Sequence, residues 1–222
     1  MGWPKLLVLV RHAESEGNVR NPDERADYSV GSNFYTLTDH GRQQAILTGK
    51  YLQEHFGNFD VYYSSYYTRT NETLSLMYPD AKVYQDPRLA EGQRGIWHVL
   101  NEEQMNQRFP EELIRKEREG LYHYRPIGGE NWADIELRAH SFLGTLSRDC
   151  EDKKVLAAVH GQWLLLLQRL IHHYSIEETV SKYKNRKISE NASVTIYEST
   201  NVNGKSRLKL VEENLVPWKS KI

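Results

Sequence analysis

The chain has 222 residues, with 29 lysines and arginines against 30 acidic residues and a formal net charge of -1. This balance excludes a strongly basic protein whose overall field attracts nucleic acid or an anionic membrane, so any anion site must be local. The only cysteine, Cys150, cannot form an internal disulfide, and no apolar stretch is long enough to span a membrane. We therefore expect a folded cytoplasmic protein without a membrane or nucleic-acid partner.

The first half of the chain alternates predicted strands and helices. Residues 6–10 are a short aliphatic run, typical of a strand buried on both faces. Residues 38–56 predict a helix, because Thr38 is a candidate N-cap, apolar residues recur at helical spacing and Gly57 ends the pattern. The other elements predicted in this half are a strand at 59–65, a helix at 68–78 and a short strand near Val83.

The second half begins with the least regular part, residues 85–130, which we expect to form an insertion or lid. The elements predicted in and after it are a charged helix at about 101–119, a helix capped by Asn131, a buried strand at 155–159, an apolar helix after His160-Gly161 and a hairpin around Asn203-Gly204. Strands alternating with helices predict an α/β fold: a three-layer sandwich whose mainly parallel central sheet has helices on both faces. We expect one domain over residues 1–222, with the insertion or lid at about 85–130.

Basic residues follow three of the predicted strands. They are Arg11 and His12 after the first strand, Arg69 beyond the second, and His160 after the strand at 155–159. Parallel strands end at one edge of a sheet, where ligands bind, so we expect these side chains to converge. Arginine forms paired hydrogen bonds with a phosphoryl group, and a neutral imidazole can attack phosphorus if its other nitrogen donates to a carbonyl. The pattern predicts a phosphate site.

Five motifs share an order with those of one known family. They are LVRHAESEGN at 9–18, SSYYTRTNET at 64–73, RLAEGQRGIW at 88–97, GGENWADIELR at 128–138 and AVHGQW at 158–163. In this order they resemble the motifs of the histidine phosphatase superfamily, the phosphoglycerate-mutase-like proteins. Ordered motifs at strand ends are far more specific than a lone Arg-His pair, which alone is more often an ordinary strand end. The resemblance implies the phosphoglycerate-mutase-like fold.

The resemblance also implies how the phosphate is handled. His12 corresponds to the nucleophile that carries the phosphoryl group. Arg11, Arg69 and His160 correspond to the residues that hold its oxygens, with Gly161 in the same substrate-binding motif. The family needs no metal and no organic cofactor, and its partner is a small phosphorylated substrate.

Two further residues have roles implied by the resemblance. Asn18 corresponds to a polar residue that closes over the phosphate, although an asparagine here is also compatible with a turn cap. Glu91 corresponds to the general acid, which protonates the leaving alkoxide and then activates water. A carboxyl beside a bound phosphate holds its proton more readily because of the like charge, as this step requires. Glu14 and Glu130 lie in neighbouring motifs and are the competing carboxylates.

The chain departs from the family pattern at two places. Ala13 stands where the family usually has glycine, so we expect a glycine-only backbone angle to be excluded or strained there. Ser65-Tyr66 replaces the usual Ser-Pro before Arg69, which changes the stiffness of the loop. Neither change removes a reacting atom.

Three functions fit these observations. The leading hypothesis is a phosphomonoester hydrolase that works through a phosphohistidine at residue 12. The second is a phosphoglycerate-type mutase, in which a second hydroxyl takes the phosphoryl group. The charged run at 111–119 bears on this choice, because its basic residues either form a solvated helix face or meet an anionic substrate tail. The third is a phosphate-binding module without turnover, against which the retention of both histidines and both arginines argues.

Overall fold

The computed structural model describes residues 2–26, 28–185 and 188–222. In that part of the chain one sheet contains the strands β1 (Leu6–Arg11), β2 (Val61–Ser64), β3 (Val83–Gln85), β4 (Lys154–Val159), β5 (Val194–Val202) and β6 (Lys205–Leu215). Their order is β3-β2-β4-β1-β5-β6. The first four strands in this order are parallel, whereas β5 and β6 form an antiparallel hairpin at one side. The mainly parallel sheet expected from the sequence is thus confirmed.

Helices connect these strands. The described helices are α1 (Glu16–Val19), α2 (Pro22–Ala26), α3 (Asp39–Phe56), α4 (Thr68–Met77), α5 (Glu102–Arg108), α6 (Pro110–His123), α7 (Trp132–Asp149), α8 (Gly161–His172) and α9 (Ile176–Lys184). Short 3-10 helices lie at Ser32–Phe34, Pro87–Leu89 and Gly95–His98. No helix among the described residues has both the length and the apolar character needed to cross a membrane.

The central strands are buried on both faces, which explains their uninterrupted apolar sequence. In β1, Leu7 and Leu9 pack with the side of the sheet covered by α7 and α8. Val8 and Val10 point the other way and pack with α3 and α4. Alternate residues of one strand therefore pack into two different apolar layers, and the sheet lies between them as a rigid middle layer.

Side-chain caps fix the starts of the long helices where the sequence predicted them. The Thr38 side chain accepts a hydrogen bond from Gly41 N, and Asn131 caps α7 by accepting from Asp134 N. The helix predicted at about 101–119 is instead two helices, α5 and α6, because the chain leaves helical geometry at Phe109 and Pro110 starts a new helix.

Candidate active site

The order of the central strands brings the predicted residues to one edge. β1 and β2 both pair with β4 in parallel, with Arg11 opposite Val159 in the register. His12 continues the pairing beyond the strand, because its N–H donates to Val159 O at 2.9 Å. As a result the rings of His12 and His160 lie 5.2 Å apart, as the convergence argument predicted.

The His12 ring is buried and fixed in orientation. Its Nδ1 lies 2.8 Å from Ala13 O, so Nδ1 carries the hydrogen and Nε2 keeps the lone pair. Burial, and then the charges of Arg69 and Arg11, hold the pKa of His12 well below its usual range. His12 is therefore a neutral imidazole, the form that can act as a nucleophile.

Two buried guanidinium groups flank this ring. Arg69 Nη1 donates to Ser32 O at 2.8 Å, its Nη2 lies 3.2 Å from His160 Nδ1, and its charge lies over the ring of Tyr67. Arg11 donates through Nη1 to Ser189 O, while its buried Nε has no partner among the described residues. Burial lowers the pKa of both arginines. Such desolvated cations, which form no ion pair among the described residues, favour an anionic ligand.

His160 stands at the start of α8 and is fully buried. Burial, followed by the charge of Arg69, lowers its pKa well below the usual range. Its Nε2 has no hydrogen-bond partner in the described chain. The next residue, Gly161, allows close approach, since a Cβ there would lie 3.2 Å from Arg11 Nε. A bound phosphate would give these unpaired groups their partner.

The Glu91 carboxylate lies at the first turn of α8 and lines the same cavity as Arg11 and Arg69. It accepts from Gly92 N at 3.1 Å, Trp163 N at 3.3 Å and Gln162 N at 3.4 Å. The loop that carries it is held by Arg138, whose Nη1 donates to Ala90 O at 2.6 Å. Glu91 is thus placed on a fixed backbone rather than on a free loop.

The competing carboxylates are engaged elsewhere. Glu14 accepts from Thr38 Oγ1 at 2.7 Å, beside the start of α3. Glu130 lines the same cavity as Glu91 but forms an ion pair with Arg138 at 2.8 Å. Among the described carboxylates of the cavity, Glu91 is the one without an ion pair.

Asn18 lies at the cavity wall in α1. Its Oδ1 accepts from Ser15 N at 3.0 Å and from Asn191 Nδ2 at 3.3 Å. Turn cap and phosphate ligand are therefore compatible roles, since the Asn18 oxygen caps the turn and Asn18 also lines the cavity.

The alanine in place of the family's glycine is not strained. Ala13 is absent from the described residues with positive φ, so a glycine-only angle is not required. Its N–H donates to Thr73 Oγ1 at 3.0 Å, and its side chain belongs to the apolar layer beneath α3 and α4. Of the two outcomes expected at Ala13, the structure shows the exclusion of a glycine-only angle and not strain.

These side chains surround one cavity of about 430 Å³. The insertion contributes part of its wall, including Trp97, Lys116 and Tyr124. Of the tyrosine pairs in the sequence, Tyr67 packs edge-on against His160 with centroids 4.8 Å apart, and its hydroxyl accepts from Gln93 Nε2 at 2.7 Å. The Tyr67 ring therefore lines the cavity and packs directly against His160.

Two histidines outside this cavity, His123 and His172, have local partners. His172 Nε2 lies 2.9 Å from the Tyr197 hydroxyl, and His123 packs against Tyr122. Across residues 2–26, 28–185 and 188–222, no three histidine, cysteine or carboxylate side chains are grouped as a metal site would require.

Three residues that hold the site in place were not predicted from the sequence. Arg138 was visible as the last residue of the fourth motif, and its charge inside an otherwise apolar helix face was the available signal. Asn191 donates to His12 O at 3.0 Å, and Ala192 N donates to the same carbonyl at 3.2 Å. No local pattern marks these two contacts, because they join residues that are far apart in the sequence.

We expect the ligand-free protein to lose stability as the pH falls from about 7 to about 5. The pKa values of His12 and His160 are lowered in the folded state, whereas in the unfolded chain they are about 6.5. Below that pH the unfolded chain binds protons that the folded chain does not, so each histidine lowers the free energy of unfolding by about 1.4 kcal/mol per pH unit. Thermal unfolding across this pH range measures the effect.

Inorganic phosphate provides the control for this prediction. A dianion beside the imidazoles favours their charged form, so phosphate should reduce the loss of stability relative to chloride at equal ionic strength. A pH dependence that phosphate leaves unchanged would contradict the placement of both histidines at an anion site.

Comparison with known proteins agrees with this geometry. The family model described as histidine phosphatase superfamily (branch 1) matches residues 7–212. The 2,3-bisphosphoglycerate-dependent phosphoglycerate mutase of Rhizobium etli (strain CIAT 652) is 33% identical over 165 residues, which cover 71% of this chain and 75% of the relative.

Two solved structures share the fold over nearly the full length. Bacillus stearothermophilus YhfR has a TM-score of 0.75 and 27% identity, covering 95% of this chain and 97% of that chain. The α-ribazole phosphatase from Shigella flexneri has a TM-score of 0.74 and 20% identity, covering 95% and 98%. Because the family model spans almost the whole chain, this protein belongs to the histidine phosphatase superfamily, a family of phosphatases and mutases.

Proposed function

We propose that this enzyme hydrolyses phosphomonoesters of a small metabolite through a phosphohistidine at His12. The observation that carries the proposal is the state of the His12 ring: its Nδ1 is held by Ala13 O at 2.8 Å, and it is flanked by two buried arginines. A neutral ring with one free nitrogen can attack phosphorus, while Arg11 and Arg69 neutralise the charge on the phosphoryl oxygens.

The first half of the proposed reaction transfers the phosphoryl group to the enzyme. His12 Nε2 attacks phosphorus, and the bond between phosphorus and the ester oxygen breaks. Glu91, protonated in this step, gives its proton to the departing alkoxide. His160 and the two arginines hold the three oxygens that carry the charge, with Asn18 and the N–H end of α8 at Gly161 beside them.

The second half returns the enzyme to its starting state. Water attacks the phosphorus, Glu91 now takes a proton from that water, and the bond between nitrogen and phosphorus breaks. Inorganic phosphate leaves, and His12 is again neutral. The insertion over residues 85–130 walls the cavity in which this occurs, which supports its assignment as a lid on a single catalytic domain.

A mutase is the second candidate, and the names of relatives such as the Rhizobium etli enzyme favour it. It shares the first half-reaction, but the phosphoryl group then passes to a second hydroxyl. Hydrolysis is preferred because two of the three lysine and arginine side chains of α6 already pair with a carboxylate: Arg115 and Arg118 lie 3.1 and 3.4 Å from Glu119.

We expect phosphate release to outpace isomerisation when the enzyme is incubated with 3-phosphoglycerate. The measurement follows both products in one sample by phosphorus NMR, with and without 2,3-bisphosphoglycerate, the compound in the relatives' names. If isomerisation is faster than phosphate release, the proposed hydrolase function is wrong and the enzyme acts as a mutase. If neither product forms and phosphate binds tightly, the protein is a phosphate-binding module without turnover.

A further inference from the structure

A second cavity lies on the side of the sheet that α7 and α8 cover. It has a volume of about 710 Å³, which is larger than the active-site cavity of about 430 Å³ and within the range of small-molecule sites. Its walls are the C-terminal halves of α7 and α8, the strand β6 and Trp3. None of its lining residues has a role in the proposed transfer at His12.

The two cavities are separate, because no described residue lines both. Helix α8 runs from one to the other: Gly161 lines the active-site cavity, and Arg169 lines the second cavity. Along the helix axis these two residues are about 12 Å apart at 1.5 Å per residue. A ligand in the second cavity is therefore a different molecule from the ester that His12 attacks.

The lining of the second cavity is largely apolar and partly aromatic. Leu143, Leu170, Leu208 and Trp3 line it and pack with the core under α7 and α8, and Tyr174 adds a second aromatic ring. Trp3, Leu170 and Leu208 are only partly buried, so part of this apolar surface is in contact with solvent. Such a surface favours a ligand with a flat apolar body.

Gly144, in the middle of α7, leaves one wall of this cavity without a side chain. A Cβ added there has open space around it, with nothing within 4 Å. The φ angle is not positive, so neither packing nor backbone geometry requires a glycine at this position. Glycine is nevertheless less favourable than alanine in a helix interior. What it provides here is a stretch of helix backbone that a ligand can approach closely.

The lining contains basic groups and no carboxylate among its described residues. The basic residues are Arg169, Arg207, His140 and His173. Arg169 Nη1 donates to both oxygens of Glu136 at 3.1 Å, while its buried Nε has no hydrogen-bond partner in the described chain. Arg207 is exposed and forms no ion pair with a described residue. The charge of the cavity therefore complements a negative group on its ligand.

We propose that the second cavity binds an aromatic anion, a small molecule with a flat apolar body and one anionic group such as a carboxylate. The apolar body packs on Trp3, Tyr174 and the open backbone at Gly144, and the anionic group meets Arg169 and Arg207. Burial of the body supplies affinity, and charge-assisted hydrogen bonds select an anion over a neutral molecule of the same shape.

The probe for this site is 8-anilinonaphthalene-1-sulfonate, an aromatic anion whose fluorescence rises in apolar surroundings. The wild-type enzyme is titrated with and without saturating inorganic phosphate, which occupies the anion site at His12. We expect one bound dye per chain and the same affinity in both conditions. N-phenyl-1-naphthylamine has the same rings without the sulfonate, and it should bind at least about tenfold more weakly.

Two variants test whether the dye binds in this cavity. Gly144→Leu fills the cavity and should weaken dye binding at least about tenfold, while the Tm stays the same or rises because leucine is the better helix former. Arg207→Gln should weaken binding of the anionic dye at least about fivefold and leave the neutral dye unchanged. Arg148→Gln is the matched control, since Arg148 pairs with Asp149 at 2.7 Å and does not line the cavity; it should keep the wild-type affinity.

Displacement of the dye by phosphate would place the dye in the active-site cavity and overturn the proposal. Equal affinity for the two dyes, several dyes bound per chain with similar affinity, or an equal loss in Arg148→Gln would also overturn it. Undiminished binding in a folded Gly144→Leu protein has the same meaning. If Gly144→Leu lowers the Tm, Arg207→Gln decides, and wild-type affinity for the anionic dye in that variant refutes the site.

Discussion

Replacing His12 by alanine is expected to lower kcat for phosphate release by at least about 10⁴-fold, because it removes the nucleophile rather than a supporting contact. The covalent intermediate should also vanish. In the wild-type enzyme, quenching during turnover and mass spectrometry should find one phosphoryl group on the peptide that contains residue 12, labile to acid and stable to base. The variant should show none.

Two other histidines make this result specific. His160→Ala should slow turnover but still place the label on His12, because His160 stabilises the transferred group and does not receive it. His140→Ala is the control for an ordinary surface histidine, since His140 is exposed on α7. A label found on residue 160, or phosphate release by His12→Ala at the wild-type rate, would refute the proposed nucleophile.

Replacing Glu91 by glutamine is expected to lower kcat for an alkyl phosphate by about 10²- to 10³-fold, because an alkoxide must be protonated as it leaves. With p-nitrophenyl phosphate the leaving group needs no proton, so the first step should be nearly normal. The second step still lacks its base. We therefore expect a burst of p-nitrophenol equal to the enzyme concentration, followed by slow turnover, in stopped-flow absorbance.

Glu14→Gln is the matched control for this experiment. Glu14 is a carboxylate of the first motif, but it bonds Thr38 and lies away from the cavity that Glu91 lines. It should show neither the burst nor the dependence on the leaving group. Equal losses for both esters in Glu91→Gln would assign Glu91 to phosphate binding instead of proton transfer.

Much of the fold was predictable because its signals are local. The apolar run of β1 reflects burial on two faces, and Thr38 and Asn131 cap their helices through contacts three residues away. The helix α9 was missed even though Ser175 and Glu178 form a capping box, which is a readable signal. The break between α5 and α6 was missed although Pro110 marks it.

The candidate site was predictable only at the strand ends. Arg11, His12 and His160 follow from the rule that parallel strands finish at one edge, and the structure brings them together with Arg69. The far wall of the cavity could not be derived this way, because α2, the 3-10 helix at Gly95–His98 and α6 meet through loops whose path has no periodic pattern. Long-range packing decides those positions.

The hydrogen bonds that the His12 carbonyl accepts from Asn191 and Ala192 can form only late in the synthesis of the chain. Arg11 and His12 reach partners 178 and 179 positions further along the chain. At about 5–20 residues per second, those partners are made roughly 10 seconds or more after His12. β1, an apolar strand that belongs between β4 and β5, has neither neighbour until β4 (Lys154–Val159) is made, and it lacks β5 (Val194–Val202) until after these partners. Nascent chains that stall before residue 191 should therefore be inactive and prone to aggregation, with the nucleophile already made but not yet held in place.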